Sequence, residues 1–419
     1  MTQHKPDFFR RVVDVLGGRE PDSVPFVARL ELWYRSHCRG GTLPEEFCIS
    51  GVGSVAPAAE TEFPDREKQQ AKSLTDVHRL VGMGRELMLP AFSRRLNGVE
   101  LVVTLNGEPY LRENDPVLED FPRLDDIIPM ERPGVTHAEF ITPLGKLTTG
   151  YTLLPNMIAD GTLPYMEEHI LKEKEDYRKL EFILNHSEFI PGFESIQEKQ
   201  DEMGEMGFVV PLINRCPFQQ LLLNFIGEIP AFYMLQDSPG HIEKIMALLD
   251  ERYRQDISQL AGMDWPYVEF DDNLDGVMTN PRLFDKYGLP YYQAYTELLH
   301  AQGKKVGSHT DGNIKPLLGR LAESGLDVCE SFTPWPVTEC TFDEAWAAWQ
   351  DRGPLIWGGI PSPLLEERTS EPEFRQAIEH LLEIIGGRPI ILGVCDMVMG
   401  NNLIERVRYI AERIEKEEK

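Results

Sequence analysis

The segment "GSHTDGN" (307–313) sets an imidazole, His309, two positions before a carboxylate, Asp311, at the end of a short apolar run. Side chains two apart on a strand face the same way, so both can point into one cavity beyond the strand's C-terminal end. So placed, they can ligate a metal ion. They can equally be a packed histidine and a helix-capping acid, because "DGNIKPLL" also reads as a turn into a helix. Asn313 closes that turn and is a candidate substrate-binding residue. "YVEFDDN" (267–273) places Glu269, Asp271 and Asn273 on one face and Phe270 and Asp272 on the other. Asp271 and Asp272 are candidate catalytic acids, for proton transfer or as a further ligand; a helix cap and a solvated loop are the plainer roles. Glu330, within "DVCESFTP" (327–334) and expected at the strand end, is the third candidate acid. Buried there, it needs a metal, a histidine or substrate as its partner, unless it pairs with a neighbouring loop. Arg29, closing "VPFVAR", would bind a carboxylate of substrate or of the aspartate cluster. Trp33 and Tyr34 would then wall the site mouth, or else pack in the core.

These residues need a scaffold that gathers strand ends. "YVEFDDN", "KKVGSHTDGN", "DVCESFTP", "PLIWGGIPS" and "PIILGVCDM" are short apolar runs ending in polar or small residues, with helical segments between them. Near-continuous apolar strands alternating with helices imply a parallel α/β architecture. With "SVPFVARLELW" (23–33) and "GFVVPLINRC" (207–216) the count approaches a closed eight-stranded barrel, whose missing second strand is expected between about residues 85 and 160. "VELVVTLNGEPYL" and "GKLTTGYTLLP" alternate like antiparallel strands, and "LPYMEEHILKEKEDYRKLEFILNH" reads as one or two helices. The expected fold is thus a TIM-like (β/α)8 barrel with N-terminal helices. It forms one domain over residues 1–419, with an inserted hairpin and helical region over about 95–200.

Hydrophobic residues make up 42% of the chain, enough for a substantial core. There is no run of about eighteen apolar residues, and the charged, amphipathic N-terminus lacks the apolar centre of a secretory signal. A net charge of −27 disfavours nucleic acid and anionic membranes as partners. Six cysteines without a CxxC pair do not form a disulfide framework, and a reducing cytoplasm is expected. "DVHRLVG" (76–82) is close to the Asp-x-His-x-x-Gly pattern of corrinoid-binding domains, but its glycine comes one residue late, so the chain is not expected to carry cobalamin of its own.

Three features together resemble the uroporphyrinogen decarboxylase superfamily over nearly the whole length. They are the early phrase Arg19-Glu20-Pro21-Asp22-Ser23-Val24-Pro25-Phe26, the His-x-acid-Gly-Asn turn followed by Gly325-Leu326-Asp327, and the closing "GVCD" strand before "NNLIERVRYIAERI". The resemblance implies a TIM-like barrel and, by analogy, a homodimer. The true decarboxylases carry two arginines near the first strand and a histidine in the last-strand loop. Here Arg29 matches the first arginine, Trp33 stands at the second position, and Cys395 stands where the histidine would be. The cobalamin-dependent methyltransferase branch holds zinc with a His-x-Cys pair and a distant cysteine. His309 and Cys395 match two of those ligands, and Asp311 replaces the third.

The resemblance therefore implies a Zn²⁺ site of His309, Asp311 and Cys395, and a cobalamin supplied by a separate corrinoid protein. Cys395 has a plainer role as a small buried hydrophobe. Aspartate in place of cysteine hardens the ligand set toward oxygen chemistry, such as demethylation of a small methoxylated compound. Two other readings compete with this one. The first is a cofactor-free decarboxylase of a porphyrinogen-like or other carboxylated small molecule, with Arg29 on the carboxylate and an aspartate of "FDDN" as acid. The second is a barrel that binds a corrinoid or tetrapyrrole without turnover.

Overall fold

A computed structural model describes residues 6–49, 71–349 and 352–416. Eight parallel strands form one sheet in chain order: β1 (Val27–Ala28), β2 (Gly84–Pro90), β3 (Gly207–Ile213), β4 (Tyr267–Phe270), β5 (Lys305–His309), β6 (Val328–Phe332), β7 (Leu355–Ile360) and β8 (Ile390–Val394). A parallel bridge between Phe26 and Leu392 joins the last strand to the first, and Leu392 N–H donates to the Pro25 carbonyl at 2.8 Å. Closure leaves no free edge, and helices cover the outside. That is why β6 and β8 are buried at every residue instead of alternating. The barrel expected from the sequence is present. Among the described residues no helix is long and apolar enough to cross a membrane.

The two ends of the barrel differ. Phe208, Tyr267 and Trp357 form an aromatic layer with ring centroids 6.2–6.3 Å apart, and the Trp357 indole donates to the Val27 carbonyl at 3.0 Å. Helix α1 (Phe8–Leu16) closes the end where the strands begin. It is capped by Asp7, which accepts from Arg10 N–H, and buries Phe8, Val12, Val15 and Leu16 along one face. Its Phe9 stacks on Phe208 at 5.8 Å. One step further along the strands the interior turns polar. Tyr267 donates to Glu269 Oε2 at 2.6 Å, and Glu269 sits in register with Gly307. A Cβ at Gly307 would lie 1.8 Å from the Tyr267 hydroxyl and 3.2 Å from Glu269 Oε2. Gly307→Ala is therefore expected to force this pair apart and to lower stability by about 2–3 kcal/mol, read from the urea midpoint at unchanged slope.

The second strand begins at Gly84, at the near edge of the expected window. Between it and β3 lie two antiparallel sheets. One has three strands (Phe92–Leu96, Val117–Leu118, Ser187–Pro191) and the other five (Glu100–Leu105, Glu108–Asn114, Gly134–Thr142, Gly145–Leu153, Tyr165–Glu168). Asn106 and Gly107, both at positive φ, make the tight turn of the first hairpin in the five-stranded sheet. The stretch read as one or two helices is instead an edge strand, Tyr165–Glu168, followed by the helix Asp176–His186. Buried contacts tie this insertion to the barrel. Arg94 pairs with Asp256 of the outer helix Pro239–Gln259, and Asn214, just past β3, donates to the same carboxylate at 3.1 Å.

Candidate functional site

Strands β4, β5 and β6 end side by side, and each delivers one side chain to the polar interior. Glu269 comes from β4. His309 is the last residue of β5, and Glu330 lies opposite it on β6. One donor atom from each lies within 4.8 Å of the others. His309 Nδ1 is hydrogen-bonded to Glu330 Oε2, and its Nε2 faces Asp311 Oδ2 at 3.9 Å. The Asn273 amide, in the orientation that satisfies both its atoms, donates to both Asp311 oxygens at 2.7 and 3.2 Å. Deeper in the barrel stands Glu86 of β2, buried and, like Glu269, left with an Oε1 that has no hydrogen-bond partner.

Burial dominates the electrostatics. Burial, reinforced by Glu330, pushes the carboxyls of Glu86 and Glu269 well above the carboxylate range, although Arg29 pulls Glu86 back and Tyr267 pulls Glu269 back. Burial also works against a charged His309, but the attraction and hydrogen bond of Glu330 outweigh it and raise the ring to about 9. Asp271 is pushed up to about 6 by burial despite its ion pair with Arg215.

The other residues singled out by sequence are distributed as follows. Arg29 donates to the Asp396 carbonyl and carboxylate at 2.7–3.1 Å, so its fork holds the loop after β8. Trp33 and Tyr34 do not wall the mouth. They are buried on the helix Glu31–Gly40, with the Trp33 indole on the Asn402 carbonyl and the Tyr34 hydroxyl on the Lys72 carbonyl. Asp272 is also buried away from the mouth, accepting from Cys216 N–H, Tyr292 and Ser308, which makes it a structural tie between strands. Asn313 fastens the turn after β5, where its N–H donates to Asp275 at 2.7 Å. Cys395 is buried; its thiol donates to the Phe332 carbonyl at 3.1 Å and lies outside the three-donor group. Burial pushes that thiol up to about 12. His78 of the near-miss corrinoid motif is fully buried in the core.

Asp271 is the candidate acid that reaches open space. It borders a cavity of about 330 Å³ beyond the ends of β3 and β4, lined also by Phe92, Asp120, Arg123, Leu163 and Arg215. Arg215 bridges Asp120 of the insertion (2.7 Å) and Asp271 of the barrel (2.5 Å). A larger cavity, about 1060 Å³, lies at the opposite end, where β5 to β8 begin. Chemistry in such barrels is built at the C-terminal ends of the strands, which favours the smaller cavity. Sequence reasoning named Glu269 only as part of a polar face and missed Glu86 altogether. An acid inside the apolar run "ELMLP" was the available signal.

No protein-family model matches the chain, and no curated protein matches it. Among solved structures it is similar to a methyltransferase from Methanosarcina mazei, with 12% identity, 99% of each chain covered and a TM-score of 0.55. At that identity the likeness establishes the fold. A candidate vitamin-B12-independent methionine synthase from Listeria monocytogenes overlaps 54% of this chain and 69% of its own, at 14% identity and a TM-score of 0.32, too slight a likeness to carry an argument.

Proposed function

We propose that the chain is a metal-dependent methyltransferase of the uroporphyrinogen decarboxylase superfamily. It would move a methyl group between a small methylated compound and a corrinoid held by a separate protein. The observation that carries this reading is the grouping of Glu269, His309 and Glu330 at the C-terminal ends of adjacent barrel strands. The full-length likeness to a methyltransferase barrel agrees with it. His309 with its carboxylate neighbours fits a Zn²⁺ ion in donor chemistry, and Glu269 Oε1, buried without a hydrogen-bond partner, is a donor such an ion could take. Bound there, the metal would act as a Lewis acid on the atom that carries or receives the methyl group.

The protein's own groups do the rest. Glu330 fixes the plane of the His309 ring through Nδ1. The 330 Å³ cavity, which Asp271 borders and the three donors do not line, offers space for a small molecule, with Phe92 and Leu163 as its apolar wall. Asp271, whose carboxyl burial pushes up to about 6, borders that cavity and is the acid placed to exchange a proton with a leaving oxygen. Arg215 is spent on Asp120 and Asp271, and Arg29 on Asp396, so no free guanidinium of this pair waits for a substrate carboxylate. Those contacts weigh against the decarboxylase reading, as does the burial of Asp272.

The test is to incubate the metal-loaded protein with cob(I)alamin and a panel of methoxylated compounds, methylated amines and thioethers, following the corrinoid spectrum. Methylation of the corrinoid by a methoxylated compound is expected. No methylation by any donor, together with CO₂ release from a carboxylated compound, would replace this reading by decarboxylation.

A further inference from the structure

We infer that the divalent ion is held by Glu269, His309 and Glu330, with the Cys395 thiol left out of its coordination, so that the centre is an oxygen-and-nitrogen site. The inference rests on the metal-dependent reading above and departs from the thiolate-bearing zinc pattern of the family the sequence resembles.

Four observations support it. The three donors already lie within 4.8 Å of one another. Donors bound to one ion at about 2.0–2.2 Å in tetrahedral geometry lie roughly 3.3–3.6 Å apart, so side-chain shifts of about an ångström close the set. Glu269 is fully buried (0% exposed), yet its Oε1 has no partner. A buried polar oxygen left unpaired is costly, and a cation between it and His309 removes the cost. Glu86, 2% exposed, adds a second unpartnered oxygen close by. Three buried carboxyl groups, those of Glu86, Glu269 and Glu330, thus stand near one guanidinium, Arg29, which is itself committed to Asp396. Lastly, the Cys395 thiol is committed to the Phe332 carbonyl. To ligate, it would have to break that bond and move into the three-donor group, from which it now stands apart.

Hard oxygen donors with one imidazole suit Mn²⁺, Fe²⁺ and Co²⁺ as well as Zn²⁺, and they suit a Lewis acid that grips oxygen in preference to a thiolate. Cobalt is the probe. The metal-free full chain is titrated with Co²⁺ while its absorption spectrum is recorded, alongside Cys395→Ala, Glu269→Gln and Glu330→Gln. The expected result is one bound Co²⁺ per chain with no sulfur-to-cobalt charge-transfer band in the near ultraviolet. Cys395→Ala should keep both the spectrum and the affinity, within about twofold, and each glutamine variant should bind at least about tenfold more weakly.

A charge-transfer band that disappears in Cys395→Ala, or an unchanged affinity in Glu269→Gln, would overturn the inference and leave methyl transfer standing. A folded wild type that takes up no Co²⁺ would overturn both. The wild-type spectrum alone decides the place of the thiol even if a variant fails to fold.

Discussion

His309→Ala should leave the protein folded, reduce bound divalent metal from about one per chain to a trace, and slow methyl transfer by on the order of 10³-fold. His309 is the single imidazole of the three-donor group, and Glu330 already fixes it. Its removal takes away a ligand and the orienting contact together. Lewis-acid stabilisation contributes several kcal/mol, and about 4 kcal/mol corresponds to that factor in rate. Metal analysis of the variant, paired with the initial rate of corrinoid methylation, checks the expectation. Retained metal with lost activity would make His309 a proton-transfer residue and not a ligand.

Asp256→Ala should have the largest effect on stability, a loss of about 3–5 kcal/mol in chemical denaturation. The Asp256 carboxylate is 1% exposed and pairs with Arg94 of the insertion and with Arg252 of its own helix. Deleting it leaves the buried Arg94 guanidinium with the Asn214 carbonyl oxygen, at 3.2 Å, as its remaining side-chain acceptor. Because Arg94 joins the inserted sheet to the barrel, that sheet should also lose amide hydrogen-exchange protection before the barrel strands do. A loss below about 1 kcal/mol would show that the insertion is held mainly by its apolar contacts.

The barrel was legible because most of its strands are apolar on both faces. "PIILGV" and "DVCESF" could not be amphipathic helices of that length, and the glycines and acids around them mark where they stop. β2 was not legible, because Arg85 and Glu86 interrupt "GRELMLP" with charge. Both are buried, Arg85 near Glu31 and Glu86 toward the barrel interior, and only the tertiary fold supplies those surroundings. β1 shrank to two residues because "ELWY", apolar enough for a strand, starts a helix at Glu31. The edge strand Tyr165–Glu168 escaped for a similar reason. Its four residues carry no decisive period, and pairing with Gly145–Leu153 decides their state.

The site was legible where strand alternation sufficed. His309, Asp311 and Glu330 do meet, and Asp271 does reach a cavity. Alternation cannot say whether an aromatic pair such as Trp33 and Tyr34 turns to the mouth or to the core. Nor can it say which of Glu269 and Cys395 stands nearer the imidazole, since that depends on how far each strand runs before it ends.

In the proposed reaction, methyl transfer depends on a metal held at the C-terminal end of the barrel. The most direct measurement titrates Zn²⁺ into metal-free protein while recording the initial rate of cob(I)alamin methylation from an accepted methyl donor. The rate should rise linearly and level off at one equivalent per chain, and the same titration of His309→Ala should stay flat. Full activity in the metal-free protein, or a rate indifferent to added metal, would contradict the claim.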